Sequence, residues 1–242
     1  MAAIELWGLT KHYRQGSSVV RALDDVTLRI ESGEFVAVVG RSGSGKTTML
    51  DLLGLLLRPT SGTIVIDGVD SGTMNDGDRA TMRGERIGFI FQEFNLLPTL
   101  NAVENVMLPL RYLRHKDPHG RARAEQLLAD VDLADRGEHK PGQLSGGQSQ
   151  RVAIARSLIN NPALVLGDEP TGEVDSETSQ QLIDLMRRMN RERGVTFVIV
   201  THDMDVAQRA DRIIRLKDGR VASDERITAK ESLPTPAETA GQ

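Results

Sequence analysis

Residues 35–48, FVAVVGRSGSGKTT, leave few folds open. The run 35–40 is a strand apolar on both faces, which needs cover on both sides, as in a parallel sheet between helical layers. Glycines and serines follow, then Lys-Thr and a helix predicted over 46–57. Gly40, Gly45, Lys46 and Thr47 hold the fixed places of G-x-x-x-x-G-K-[ST]. Gly43 and Gly45, beside Ser42 and Ser44, let the backbone wrap closely around an anion. Successive N–H groups and the helix N-terminus point at it. Lys46 adds a point charge near the β and γ phosphates, and the Thr47 hydroxyl is suited to ligate Mg²⁺. A merely flexible glycine turn would not need strand, loop, Lys-Thr and helix in this order, so the stretch is expected to bind a nucleotide.

The rest of the chain alternates short β-branched runs with longer helical patterns. Strands are predicted at 4–9, 26–30, 63–67, 87–91, 163–168, 196–201 and 212–217, and helices at 101–114, 119–130, 147–160, 176–193 and 203–209. The runs at 163–168 and 196–201 share the two-faced apolar character of 35–40, whereas the earliest runs alternate and suit a separate antiparallel sheet. The expected fold is α/β: a P-loop NTPase core of mostly parallel sheet, an N-terminal antiparallel β subdomain, and an α-helical lobe inserted at about 93–160. LKDGRV, 216–221, signals a hairpin. The acidic run DGVDSGTMNDGD lacks calcium-loop spacing and is expected to form turns. His115 and His119 are separated by Pro118 and read as a surface loop. Residues 1–228 form the expected domain, and the small, polar, proline-containing stretch 229–242 a flexible tail.

Composition narrows the partners. The 242 residues carry a formal net charge of −4, so nothing favours a nucleic-acid face. Cysteine is absent, which excludes disulfides and thiolate zinc sites. No apolar run approaches the ~18 residues of a membrane span, and the first residues do not read as a signal peptide. A soluble chain is expected, with any membrane role supplied by a partner.

Three further strand ends carry chemistry. ALVLGDEP ends a buried strand in Asp168 and Glu169, at the sheet edge where ligands of open α/β folds collect. Asp168 would hold Mg²⁺ directly or through its waters. Glu169 would polarise the water that attacks the γ-phosphate, or the pair is only an acidic strand end. His202 ends TFVIVTHD and suits either a γ-phosphate hydrogen bond or a structural cap. Gln92 ends IGFIFQ, where its amide oxygen could reach Mg²⁺ or the attacking water, or be simply a polar residue after a strand.

LSGGQSQR, 144–151, opens a helix in an unusual way. Ser145 suits an N-cap. Gly146 and Gly147 leave backbone N–H groups bare, although each interior glycine costs a helix about 1 kcal/mol. Val152, Ala155 and Ile159 anchor one face of that helix. This makes a second anion site, about a hundred residues from the first.

The order GRSGSGKT, Gln92, LSGGQ, LVLGDEP, His202 resembles the nucleotide-binding subunits of ABC transporters, with motifs spread over 13–203. The resemblance implies a head-to-tail homodimer closing on two ATP molecules. It implies that Tyr13 stacks on adenine, and that Ser42, Gly43, Ser44, Gly45, Lys46, Thr47 and Thr48 hold the phosphates and Mg²⁺. Gln92 would sense the γ-phosphate and relay to membrane subunits. Ser145, Gly147 and Gln148, with Gly146 between them, would meet the partner's ATP. Asp175 would lie in the loop that crosses the dimer, and His202 would contact the γ-phosphate. GFIFQEFNLLPTLNAVENVMLPL and DEPTGEVDSETS resemble the lipoprotein-releasing and macrolide-exporter branch. That branch implies membrane subunits with large extracytoplasmic domains. In its macrolide exporters the ATPase is fused to the membrane part. This sequence, with no spanning segment, resembles the free-standing form, expected on the inner face of the cell membrane and held there by separate permease subunits. Ser149, Gly167 and Glu173 depart from the branch's usual Gln, Ala and Asn, and Glu173 adds charge near the partner's phosphates. A soluble ABC ATPase of DNA repair or translation is the alternative, but it usually carries an insertion or a second ATPase domain.

Overall fold

In a computed structural model, the structure describes residues 2–16, 18–113 and 117–227. The tail at 229–242 and His115 lie outside the described residues. Two sheets organise the chain. A long hairpin, β1 (Ala2–Gln15) and β2 (Ser18–Glu31), joins β4 (Ser61–Ile66) and β5 (Val69–Asp70) in an antiparallel sheet of order β2-β1-β4-β5. The second sheet takes β3 (Phe35–Val39), β6 (Ile87–Ile90), β7 (Leu164–Asp168), β8 (Thr196–Val200), β9 (Arg212–Lys217) and β10 (Arg220–Arg226) in the order β10-β9-β3-β8-β7-β6. Every pair in it is parallel except the β9–β10 hairpin.

The two-faced apolar strands do what their composition requires. Phe35, Ala37 and Val39 of β3 point into one core with Phe197 and Ile199, while Val36 and Val38 point into the other with Val198 and Val200. Phe35 stacks on Phe197 with ring centroids 5.3 Å apart. Helices α1 (Lys46–Leu53) and α2 (Asp76–Arg86) pack on the antiparallel-sheet side. The helices α3 (Ala102–Met107), α4 (Gly120–Asp130), α5 (Gly146–Leu158), α6 (Ser176–Arg193) and α7 (Met204–Ala207) contribute to the other core. Three of these, α3 to α5, fall between β6 and β7 and cluster together.

Local departures from the sequence reading have plain causes. The expected turns at 67–78 are only partly turns, because α2 begins inside them. Asn75 caps it by accepting from Asp78 N–H, and only Arg79 and Met82 of the helix are buried, so its apolar periodicity is too weak to read. The helix expected over 101–114 stops at Met107 and tightens into a 3-10 turn at Leu108–Tyr112, where Pro109 cannot continue an α-helical ladder. The first hairpin is longer than its apolar runs because exposed residues, among them Tyr13, Arg14, Val19 and Val20, continue the pairing to Gln15↔Ser18.

Candidate nucleotide site

Four strand ends converge on one edge of the parallel sheet. β3 delivers the loop 40–45, β8 delivers His202, β7 delivers Asp168 and Glu169, and β6 delivers Gln92, with β8 lying between β3 and β7. The loop is tightly backed. A Cβ on Gly40 would sit 2.5 Å from the Leu216 carbonyl oxygen, and one on Gly45 would sit 2.3 Å from that of Ala22. Gly45 has φ 104°, which only glycine adopts freely, while Gly43 at φ 78° faces open space. The hairpin turn at Asp218–Gly219 staples this loop: Gly219 N–H donates to Ser44 O at 3.1 Å, and Asp24 N–H donates to Gly219 O at 2.9 Å. A cavity of about 660 Å³ opens beside it, lined by Gly40–Ser44, His202 and the β9 end.

The loop suits an anion. No side chain caps α1 at Gly45, whereas Ser145 and Asp175 cap α5 and α6. Ser44 Oγ is buried without a hydrogen-bond partner. Lys46 Nζ bridges the carbonyls of Gly40 and Arg41 at 2.7 and 3.1 Å, spanning the loop. Asp168 is starved of positive charge. Burial pushes its carboxyl pKa up, the neighbouring Glu169 and Asp51 push it further, and Lys46 only partly opposes them. Asp51, on α1, is itself raised by burial. A divalent cation fits this donor set, with Thr47 and Asp168 to hold it.

Glu169 stands in the left-handed region at φ 45°, an unfavourable setting for a residue that carries a Cβ and one seen at functional positions. Its Oε1 is 2.8 Å from His202 Nδ1, and its Oε2 accepts from His202 N–H at 3.3 Å. A carboxylate only accepts, so the ring proton sits on Nδ1 and leaves Nε2 facing outward. Gln92 donates through Nε2 to Glu173 Oε1 at 2.8 Å. Glu173 therefore has a partner within its own chain, and the amide oxygen of Gln92 is turned away from it.

Ser145 caps α5 as expected, and Gln148 completes a reciprocal box: Gln148 N–H donates to Ser145 Oγ at 3.2 Å and Ser145 N–H to Gln148 Oε1 at 2.9 Å. A Cβ on Gly147 would lie 2.6 Å from Thr178 Cγ2 at the start of α6, so close packing as well as bare N–H groups calls for glycine there. Asp175 caps α6 through Thr178 N–H and hydroxyl, which hold its carboxyl below the usual range. Residues 145–148 do not line the cavity at the phosphate loop. Tyr13 is exposed on β1 opposite Val20, with Lys11 Nζ 5.3 Å from its ring centroid, on the hairpin that packs over Gly45. A methyl at Gly167 would fit only tightly: a Cβ would meet Ile199 Cγ2 at 3.1 Å and Pro170 Cγ at 3.3 Å, so those side chains would have to give slightly. Ser149 is buried in the first turn of α5, and nothing explains why serine replaces glutamine.

Sequence reasoning passed over Asp51, Gln150 and Arg156. The signal for Arg156 was a charge inside the apolar run VAIARSLI. Asp51 and Gln150 sit among helical residues with no pattern to mark them.

The ABC transporter family model matches residues 23–172. The chain is 51% identical over 221 residues to the macrolide export ATP-binding/permease protein MacB of Syntrophobacter fumaroxidans, covering 90% of this chain but 31% of that protein. It thus spans about a third of the length of such relatives. It is 46% identical to the lipoprotein-releasing system ATP-binding protein LolD of Bordetella pertussis, covering 92% of this chain and 96% of that one. The ATP-binding cassette MJ0796 of Methanocaldococcus jannaschii, solved as a dimer in a post-hydrolysis state bound to ADP and Pi, superposes with a TM-score of 0.84 at 45% identity, over 93% of this chain and 99% of that one. Sequence and fold agree: the chain belongs to the ABC transporter family.

Proposed function

We propose that the chain binds ATP with Mg²⁺ and hydrolyses it as a head-to-tail pair, driving separate membrane subunits from the cytoplasmic face of the membrane. One observation carries this reading. The phosphate loop, Asp168, Glu169 and His202 follow neighbouring strand ends at one sheet edge, while the glycine-opened N-terminus of α5 packs against Phe94, Val174 and Thr178. One chain thus holds two halves of different sites. A second copy would place its residues Ser145, Gly146, Gly147 and Gln148 over the first copy's nucleotide, with Asp175 in the crossing loop.

In this reading Tyr13 stacks on the base, Gly40 and Ser42–Thr48 wrap the phosphates, and Lys46 leaves its two loop carbonyls for phosphate oxygens. Thr47, Asp168 and the free oxygen of Gln92 would hold Mg²⁺, which would offset phosphate charge when bound. Glu169 orients and polarises the attacking water, and His202 turns its outward face to the γ-phosphate. Asp168 shares repulsion with Glu169 and Asp51, which a cation held there would relieve.

Membrane subunits would dock on a second cavity of about 600 Å³, whose apolar lining includes Leu56, Phe89, Phe91, Leu108, Pro109 and Tyr112. Leu56 and Tyr112 are exposed there although large and apolar or aromatic. Among the described residues no helix is long and apolar enough to cross a membrane. The printed functions of the relatives MacB, macrolide export, and LolD, lipoprotein release, support export as the work done; mechanical transmission and large extracytoplasmic domains on the permease belong to the proposal alone. Folding units of 1–228, with a lobe at about 93–160, belong to the same reading.

The head-to-tail arrangement is tested by mixing Lys46→Ala protein with Ser145→Arg protein. Each variant alone should be inactive, and the mixture should regain ATPase activity through the one intact composite site. Mixtures that dimerise but never exceed either variant would refute it.

A further inference from the structure

We infer that Gln150 and Arg156 are positioning residues for hydrolysis: from one helix they lock the Gln92 loop and the loop after Glu169 to the residues at that helix's own N-terminus. The inference rests on the proposed roles of Gln92 and Glu169.

Gln150 is 1% exposed. Its Nε2 donates to two backbone carbonyls, Phe91 O at 3.3 Å and Pro170 O. Phe91 immediately precedes Gln92, and Pro170 immediately follows Glu169. Those two loops leave neighbouring strand ends, since Ile90 pairs with Gly167 in the β6–β7 ladder. One amide therefore ties both to α5. Its Oε1 is buried without a hydrogen-bond partner. An unmatched buried oxygen is unfavourable, and an apolar side chain of the same length would avoid it. The donor half of the amide is what the position retains.

Six residues further along α5, Arg156 is 8% exposed and donates through both terminal nitrogens to Phe94 O, at 2.7 Å, and Asn95 O. Burial lowers its pKa to about 10. A guanidinium is an unusual choice for two neutral acceptors, but its fixed fork matches two adjacent carbonyls. Those carbonyls belong to consecutive left-handed residues, Phe94 at φ 54° and Asn95 at φ 50°. A side-chain-bearing residue at positive φ persists only where its surroundings hold it. At the helix start, a Cβ on Gly146 would lie 3.6 Å from the Phe94 ring, so residues 145–148 adjoin the same loop.

The consequence is mechanical. A helix does not stretch, so whatever displaces residues 145–148 carries Gln150 and Arg156 with it and shifts four carbonyls beside Gln92 and Glu169. A nucleotide read at the start of α5 is thereby reported to the other nucleotide site of the same chain.

The test uses the full chain. Gln150→Met and Gln150→Glu remove the donors at nearly constant length, Arg156→Met removes the fork, and Arg156→Lys keeps a donor. Steady-state ATPase should show kcat reduced about tenfold or more in the first three, with KM within about twofold, because the phosphate loop is untouched. Arg156→Lys should recover most of the lost kcat. Amide hydrogen exchange of the nucleotide-free proteins should accelerate about tenfold at 92–95 and 171–174 in the Met variants, and not in the phosphate loop. Wild-type kcat in folded Gln150→Met and Arg156→Met proteins overturns the inference, as does unchanged exchange at those amides. A wild-type chain that does not hydrolyse ATP sinks the proposed role of Glu169 instead, and the exchange result still decides the clamp.

Discussion

Glu169 and Asp168 are adjacent, yet their settings differ. Glu169 is held by the His202 ring and backbone, whereas Asp168 faces like charges and partial burial. Glu169→Gln keeps the shape and loses the charge. It should retain ATP binding, lose turnover by about a hundredfold or more, and accumulate an ATP-bound dimer on size exclusion. Near-normal hydrolysis would remove Glu169 from the general-base role. Asp168 yields a pH prediction. Its folded pKa is raised, so the unfolded chain releases this proton first as pH rises. The nucleotide-free protein thus loses stability from this group as pH climbs from the ordinary carboxylate value through the raised one. Asp168→Asn should melt higher than wild type near about pH 8, with the gap closing toward about pH 4. A wider gap at the acid end would reverse the assigned shift.

At the scale of elements, the strands were the most legible part of the sequence, because burial on both faces leaves no polar alternation to confuse with a surface helix. β3, β7 and β8 fall within a residue or two of their apolar runs for that reason. The site was legible where chemistry follows a strand, as at Lys46, Asp168, Glu169, Gln92 and His202. Side chains acting from inside helices were not, since Gln150 and Asp51 show no periodic signal and their targets are backbone carbonyls or distant carboxyls. Glu173 read as a bare charge because its acceptor role toward Gln92 exists only once β6 and β7 lie side by side. The central β3–β8 pairing is also buried along its whole length. Phe197→Ala removes the stack on Phe35 from a fully buried position and should destabilise the chain by about 3–5 kcal/mol in urea titrations. A loss under about 1 kcal/mol would mean that the core repacks around the gap.

Across the whole molecule, the two cavities lie on different elements. One is lined by the phosphate loop and β9, the other by residues of α2, β6 and the turn after α3. The loop 91–95 adjoins the second through Phe91 and is gripped by α5. Tyr112→Glu combined with Leu56→Glu places two charges at the second cavity and none near the nucleotide. These changes should leave the isolated protein's ATPase rate within about twofold and abolish co-purification with a permease. A permease retained at wild-type yield would move the docking surface elsewhere.

The staple between Gly219, Ser44 and Asp24 sets the order of events during synthesis. The phosphate loop is complete at residue 48, but its backing carbonyl belongs to Leu216 and its carbonyl at Ser44 waits for the N–H of Gly219. Roughly 170 residues of chain must therefore leave the ribosome between the making of the loop and its closure, and non-local contacts of this span form late. A nascent chain arrested before β9 carries the whole nucleotide motif and should not bind nucleotide. Competence for ATP is expected only once the last hairpin of the sheet has formed, which nucleotide binding by such arrested chains would refute.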